Sequence, residues 1–185
     1  MKKLNLNLNK ITTLFSVSVV YVGVGIILVG AVCYFSGIHI NTTKSIPSGV
    51  YLTVERPVKK GEYVIFCPPK NKVFDMAKER GYISGGFCLG NYSYMMKKIL
   101  AVKNDTITIN TNGVIVNTVL VPFSKLIKAD AGGKLLPQLS IQSYVLKTDE
   151  LLLMSDVNKR SFDGRYFGLV NRNQVKSVID PIFLW

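Results

Sequence analysis

Hydrolytic chemistry has few routes open to it in a chain of 185 residues with one histidine. That residue, His39, stands at the end of a long apolar block, and the three cysteines, Cys33, Cys67 and Cys88, show no metal-ligand spacing. A histidine zinc site needs more imidazole than this, and a Ser-His-Asp triad would have to use a histidine beside the membrane, so neither is expected, nor any metal or cofactor. Any hydrolase here must find another base. Three segments carry polar residues that a fold alone does not require: Asn41-Thr42-Thr43-Lys44-Ser45-Ile46-Pro47-Ser48-Gly49-Val50-Tyr51, Met95-Met96-Lys97-Lys98-Ile99-Leu100, and Ser161-Phe162-Asp163-Gly164-Arg165-Tyr166-Phe167-Gly168. Taken singly, a Ser-x-Pro serine is an ordinary turn residue, and a lysine in an apolar strand ordinarily snorkels to water. Lys97 has a second option. A free lysine titrates near ~10.4, so only about one in 2,000 is neutral at pH 7. Burial among Met95, Met96, Ile99 and Leu100 would penalise the ammonium and lower that value. At a pKa of roughly 7–8 an amine can take a proton and return it. Lys98 would point to the opposite face of the strand, because adjacent strand residues alternate, and is the weaker candidate.

The elements that position these segments begin with residues 11–38, which contain no charged residue. About 20 apolar residues in a helix cross a bilayer core. Lys2, Lys3 and Lys10 precede the block and no acid does, which predicts a basic cytoplasmic segment over residues 1–10, a transmembrane anchor over 11–38, and a periplasmic domain over 39–185. A cleaved signal peptide is the competing reading. Its apolar region runs only about 7–15 residues and ends in small residues, whereas Tyr34-Phe35-Ser36-Gly37-Ile38 closes this longer run. An uncleaved anchor is therefore expected, with Tyr34 and Phe35 at the outer interface and Cys33 as a small apolar residue within it. Of the net charge of +12, three charges precede the anchor and leave +9 beyond it. Such a surface suits anionic lipid headgroups. Its lysines are scattered among apolar residues with no basic helix, so nucleic acid is not an expected partner. Cys67 and Cys88 fall in the exported part, where a disulfide persists; a bridge there is expected to add ~3 kcal/mol.

After the anchor, short apolar runs alternate with Gly, Pro, Asn and Asp. Residues 50–54 and 63–66 read as strands, and Pro68-Pro69 ends the second. Val73, Phe74 and Ala77 share a helical face, with Gly81 as its stop. Residues 96–102 form another apolar run. Residues 106–117 alternate about Asn112-Gly113, a strong hairpin cue. The stretch 124–144 reads as loop with short strands, residues 151–154 as a buried strand, 155–164 as a polar loop, and 175–179 as a last short strand. The fold class expected is mainly β, of antiparallel folded-over sheets or an open barrel, with one N-terminal transmembrane helix and little other helix.

The three polar segments, in order and spacing, resemble the type I signal peptidase superfamily of Ser/Lys-dyad proteases. The match is closer to its TraF-type branch, the conjugative transfer signal peptidases, whose N-x-T-x-S-x-P-x-G-x-Y pattern residues 41–51 meet at every fixed position. Phe66-Cys67-Pro68-Pro69, the stretch from Gly81 and Tyr82 to Cys88, and the Ser161 segment match as well. Three features depart from the pattern: Lys98 where arginine is usual, Lys103-Asn104-Asp105 where Pro-Gly-Asp is common, and Gly164 in place of a serine.

The resemblance implies Ser45 as nucleophile, Lys97 as general base, and the Ser45 N–H with the Thr43 hydroxyl as oxyanion donors. It implies that Ser161 orients Lys97, and it leaves Asp163 and Arg165 a supporting ion pair beside the dyad. The fold it implies is the signal peptidase type. The expected function is a serine endopeptidase of the bacterial inner membrane, single-pass, maturing a conjugative pilin by cleavage, with or without cyclisation, through an acyl-enzyme. Its partners would be the bilayer, a membrane-tethered or newly exported pilin-like precursor, and components of a conjugation or type IV secretion apparatus. Two alternatives stand beside this. One is a general type I signal peptidase, which would rescue a strain depleted of its own. The other is a non-catalytic anchored scaffold of a secretion or pilus apparatus, which would have no use for a reactive serine and lysine.

Overall fold

A computed structural model describes residues 2–185, apart from the side chains of residues 2–9 and 33–35. The roles expected of Lys2, Lys3, Cys33, Tyr34 and Phe35 lie outside the described residues. The chain divides into two compact units, residues 1–39 and 40–185. The first holds α1, Lys2–Phe35. Within it Lys10–Val32 has a mean hydropathy of 2.4 over 23 residues. At 1.5 Å per residue that is about 35 Å, long enough to cross a ~30 Å hydrocarbon core. Its hydroxyls bond inward: Ser16 and Ser18 donate to the carbonyls of Thr12 and Leu14, each at 2.9 Å. The helix ends at Phe35, before Gly37 adopts φ 70° and the first strand begins at Ile38.

The remaining elements in chain order are β1 (Ile38–Asn41), β2 (Gly49–Val54), β3 (Tyr63–Phe66), α2 (Lys72–Glu79), β4 (Met95–Ala101), β5 (Thr106–Asn110), β6 (Gly113–Val116), β7 (Val119–Leu120), β8 (Ile141–Val145), β9 (Glu150–Met154), α3 (Gly164–Phe167), β10 (Val170–Asn171) and β11 (Val175–Leu184). Seven strands form one sheet in the order β1-β2-β11-β3-β4-β9-β10, and four form a second in the order β7-β6-β5-β8. The registered strand pairs are antiparallel. This is the mainly β architecture expected.

β9 shows why an unbroken apolar run forms a strand here. Leu151 and Leu153 pack into the core with Val64, Phe66, Phe74 and Ile99, while Leu152 and Met154 pack with Ile107, Ile109, Val114 and Val116. Both faces are buried, so alternation disappears. α2 is closed at its start by Asn71, whose side chain accepts from the Val73 and Phe74 N–H groups, and Gly81 beyond its end takes φ 73°.

Two expectations need correction. The last strand does not end at Ile179; it runs to Leu184. β3 pairs with it only up to Ile179, while β2 accompanies it to Leu184. Pro181 therefore falls where one side of the strand is already unpaired, and its missing N–H costs no ladder bond on that side. The hairpin loop is also shifted by one residue. Asn110 pairs with Gly113, so Thr111 and Asn112 are the loop residues and Gly113 is the first residue of the returning strand.

Cys67 and Cys88 are joined by a disulfide, with 5.5 Å between their Cα atoms. It ties the end of β3 to the loop that bonds back onto Tyr92 through the Cys88 N–H. Cys67→Ser with Cys88→Ser is expected to lower unfolding free energy by ~3 kcal/mol, read as a shift in urea midpoint. An unchanged midpoint would show that the bridge does not constrain the unfolded chain.

Candidate active site

Residues 41–49 link β1 to β2, and Asn41, only 3 % exposed, organises the turn. Its Nδ2 donates to the carbonyls of Thr43, Ile46 and Pro47 at 2.9–3.0 Å, and its Oδ1 accepts from the Thr43 N–H and hydroxyl. Tyr51 adds a hydroxyl bond of 2.6 Å to the Pro47 carbonyl. Gly49 has no room for a side chain, since a Cβ would collide with the Phe183 carbonyl oxygen on β11. The alternate positions of the 41–51 pattern thus each hold this loop in one shape. Asn41 was part of the sequence pattern but had been assigned no role. Its signal was the pattern itself, a lone amide near a strand end, which is uninformative until its acceptors are known.

Ser45, Thr43, Asn41 and Lys97 line one cleft of about 180 Å³, together with Ile83, Tyr94 and Met96. β4 delivers Lys97. Its burial alternates strictly, with Met95, Lys97, Ile99 and Ala101 inward and Met96, Lys98 and Leu100 less so. Lys97 is 1 % exposed. Burial brings its pKa down to about 8; Asp163 opposes that shift and Arg165 reinforces it. Those two neighbours form an ion pair of no net charge, so the loss of water decides. The Lys97 amine donates to Ser161 Oγ at 2.8 Å. Lys98, on the opposite face as expected, bonds Asp156 at 2.7 Å, and that bond raises its pKa.

The expected oxyanion donors are engaged with each other and with Asn41. The Ser45 N–H points to Thr43 Oγ1 at 3.4 Å, a long contact, and the Thr43 hydroxyl donates to Asn41 Oδ1 at 2.8 Å. Both groups sit at the cleft, yet the Thr43 proton is committed to Asn41 Oδ1.

Behind Ser161 lies the Asp163–Arg165 pair, in which neither side chain is exposed. Arg165 Nε and Nη2 meet the two carboxylate oxygens at 2.8 and 2.9 Å. Its remaining donors reach the carbonyls of Phe123, Lys125, Asn158, Lys159 and Ser161. Asp163 caps α3 at the Arg165 N–H and also accepts from the Ser155 N–H. The pair therefore closes the loop that presents Ser161. Two departures from the motif pattern acquire a cause. Asn104 takes φ 70°, a conformation glycine favours and asparagine tolerates, while Asp105 accepts from the Val102 N–H at 3.0 Å. At Gly164 a Cβ would stand 2.8 Å from Leu152 Cδ1 and 3.0 Å from the Leu153 carbonyl oxygen. Among the described residues no cluster suited to a metal ion is present.

Residues 11–185 match the family described as signal peptidase, peptidase S26. A plasmid transfer protein TraF of Escherichia coli is 52 % identical over 178 residues, covering 96 % of this chain and 100 % of its own. A conjugal transfer protein TraF of Agrobacterium tumefaciens strain 15955 is 34 % identical over 149 residues, covering 80 % and 82 %. Among solved structures, a signal peptidase I from Enterococcus faecalis V583 aligns with a TM-score of 0.39 and 15 % identity, over 69 % of this chain and 100 % of that one.

Proposed function

The chain belongs to the signal peptidase family, peptidase S26, and from that premise we propose that it is a membrane-anchored serine endopeptidase maturing an exported, pilin-like precursor through Ser45 and Lys97. The observation that carries this reading is a lysine amine, 1 % exposed and with its pKa near 8, on the wall of the cleft that Ser45 also lines. The transfer-protein names of the relatives favour a conjugative precursor over general secretion.

With a pKa near 8, about one Lys97 in ten is neutral at pH 7, against about one in 2,000 for a free lysine. The neutral amine takes the Ser45 hydroxyl proton as Ser45 Oγ attacks the scissile carbonyl carbon. Ser161 holds the amine through its 2.8 Å bond, on the wall of the cleft that Ser45 also lines. The tetrahedral oxyanion takes the Ser45 N–H and the Thr43 hydroxyl once Thr43 turns its proton from Asn41 into the cleft. One such donor is worth about 3–4 kcal/mol. The C–N bond then breaks, Lys97 returns its proton to the leaving amine, and an acyl ester on Ser45 remains. Water attacking that ester, with Lys97 again accepting the proton, regenerates Ser45 and a free carboxylate. An amine of the substrate attacking instead closes a ring.

The Lys10–Val32 helix is the anchor in this reading, with a cytoplasmic N-terminus and the second unit at the outer face of the inner membrane. Only a short chain segment then separates the anchor from Ser45, which suits a substrate that is itself membrane-tethered. Other components of a conjugation apparatus would supply the precursor.

The test is mass spectrometry of candidate pilin precursors incubated with the full chain in lipid vesicles from pH 6 to 10. A shortened linear product marks hydrolysis, and a further loss of one water marks cyclisation. The rate should climb about tenfold per pH unit below 8 and level off above, because the active form is the deprotonated amine. A rate flat across that range would remove Lys97 as the base; precursors left intact would sink the peptidase reading.

A further inference from the structure

A second cavity of about 180 Å³ adjoins the cleft. Tyr82 lines both spaces. Phe162, the neighbour of the Ser161 that holds Lys97, forms the floor. Phe162 packs against Tyr82 with 5.4 Å between ring centroids and lies parallel to Tyr166 at 6.1 Å. The opposite wall is residues 127–136, which contribute Ile127, Ala131 and Leu136.

That wall is built rather than draped. Ala129 and Leu135 pair as an antiparallel bridge, and the Leu136 N–H donates to the Lys128 carbonyl at 2.9 Å. Asp130 closes the turn by accepting from the N–H groups of Gly132 and Lys134 at 2.8 and 2.9 Å. The Tyr82 hydroxyl binds the same carboxylate. Arg80 clasps the hairpin from outside, donating to the Leu135 carbonyl at 2.8 Å. Asp130 is thus committed to its own turn. Arg160 is the other charged residue of the lining, and the rest of what the cavity offers an occupant is apolar surface of three rings and the aliphatic chains of Ile127 and Leu136. Its volume is that of one large side chain: an engineered apolar cavity of about 150 Å³ in another protein holds benzene.

We propose that this cavity is a substrate subsite that takes one large apolar side chain of the precursor, of leucine, methionine, phenylalanine or tyrosine type, while the adjoining backbone lies in the Ser45–Lys97 cleft. The assignment rests on the peptidase reading above. Its occupant follows from continuity: an extended peptide crossing the cleft passes Tyr82, and successive side chains leave it in opposite directions. One of them, at a fixed position relative to the scissile bond, enters the aromatic cavity. A pocket that desolvates a whole apolar side chain discriminates against alanine by roughly 10- to 100-fold.

The experiment compares the wild-type full chain with Ala131→Trp and Ile127→Ala in detergent micelles, using a positional-scanning peptide library read by mass spectrometry. The wild type should prefer a large apolar residue over alanine at one position by about tenfold or more in kcat/KM. Ala131→Trp, at an exposed residue on the rim, should fill the space and bring that ratio to about twofold or less. Ile127→Ala should enlarge the space and shift the preference at the same position towards tryptophan. If Ala131→Trp fails to melt cooperatively, Ile127→Ala alone decides. Selectivity unchanged at every position in the folded variants, with the wild type active, overturns the subsite and leaves the peptidase reading standing. A wild type that cleaves no peptide or precursor overturns both.

Discussion

Lys97→Met is expected to abolish precursor processing, by at least a thousandfold, and to leave the fold as stable as before or more so. The loss follows because, among the described residues, no other lysine lines the cleft, and removing a member of a nucleophile–base pair costs factors of this size in other serine proteases. Ser45→Ala should match it, and the double variant should be no worse than either, since the two groups act as a unit. The stability effect has a separate origin. A folded-state pKa near 8 means that holding Lys97 charged inside the protein costs about 3 kcal/mol. Methionine keeps the volume and removes the charge, at the loss of one bond to Ser161. A gain of about 1–3 kcal/mol at pH 7 is expected. The pH dependence supplies the sign. Between pH 8 and about 10.4 the unfolded chain still holds the lysine proton that the folded chain has released, so wild-type stability rises with pH through that window. Lys97→Met should lose this rise. Urea unfolding at pH 7 and pH 10 checks it; a variant markedly less stable than the wild type at pH 7 would mean that Lys97 is a structural cation.

Asp163→Ala is expected to destabilise the second unit by about 3–5 kcal/mol, the largest stability loss of any single substitution considered. It strands the Arg165 guanidinium, which has no exposure, without its carboxylate. It also removes the cap of α3 and the acceptor for the Ser155 N–H. Against a typical domain stability of 5–15 kcal/mol that is a severe loss. Asp163→Asn keeps an oxygen for the cap and should cost less. This milder variant carries a second readout. Asp163 raises the Lys97 pKa and Arg165 lowers it. With the carboxylate neutralised, the pH–rate curve should shift to lower pH. A purely structural Asp163 would leave that curve in place, and an unchanged urea midpoint for Asp163→Ala would show the pair to be dispensable.

Much of the site was legible because its signals are local. That Lys97 and Lys98 face opposite ways needed only the alternation of a strand, and β4 obeys it: Lys97 points inward and Lys98 reaches Asp156. The helix 72–79 announced itself through Val73, Phe74, Ala77 and Gly81. The misreadings share a cause. The last strand reads as ending at residue 179 unless β2 is known to accompany it to Leu184, and the Asn112-Gly113 pair reads as a turn centre unless Asn110 is known to face Gly113. Both depend on which strand lies alongside, a non-local fact.

From its sequence alone this chain could be read as a long apolar N-terminal segment followed by a β domain, with three polar segments where chemistry could occur and a single histidine, His39, at the end of the apolar block. Spacing along the chain suffices for such statements, because strand alternation and helix length are properties of consecutive residues. The tertiary structure decided what those residues experience. It buried Lys97 beside a neutralised ion pair, turned the Thr43 hydroxyl towards Asn41, and made Tyr82 a lining residue of both the cleft and an aromatic cavity. Water exclusion and proton direction arise from atoms far apart in the chain, and only packing brings those together.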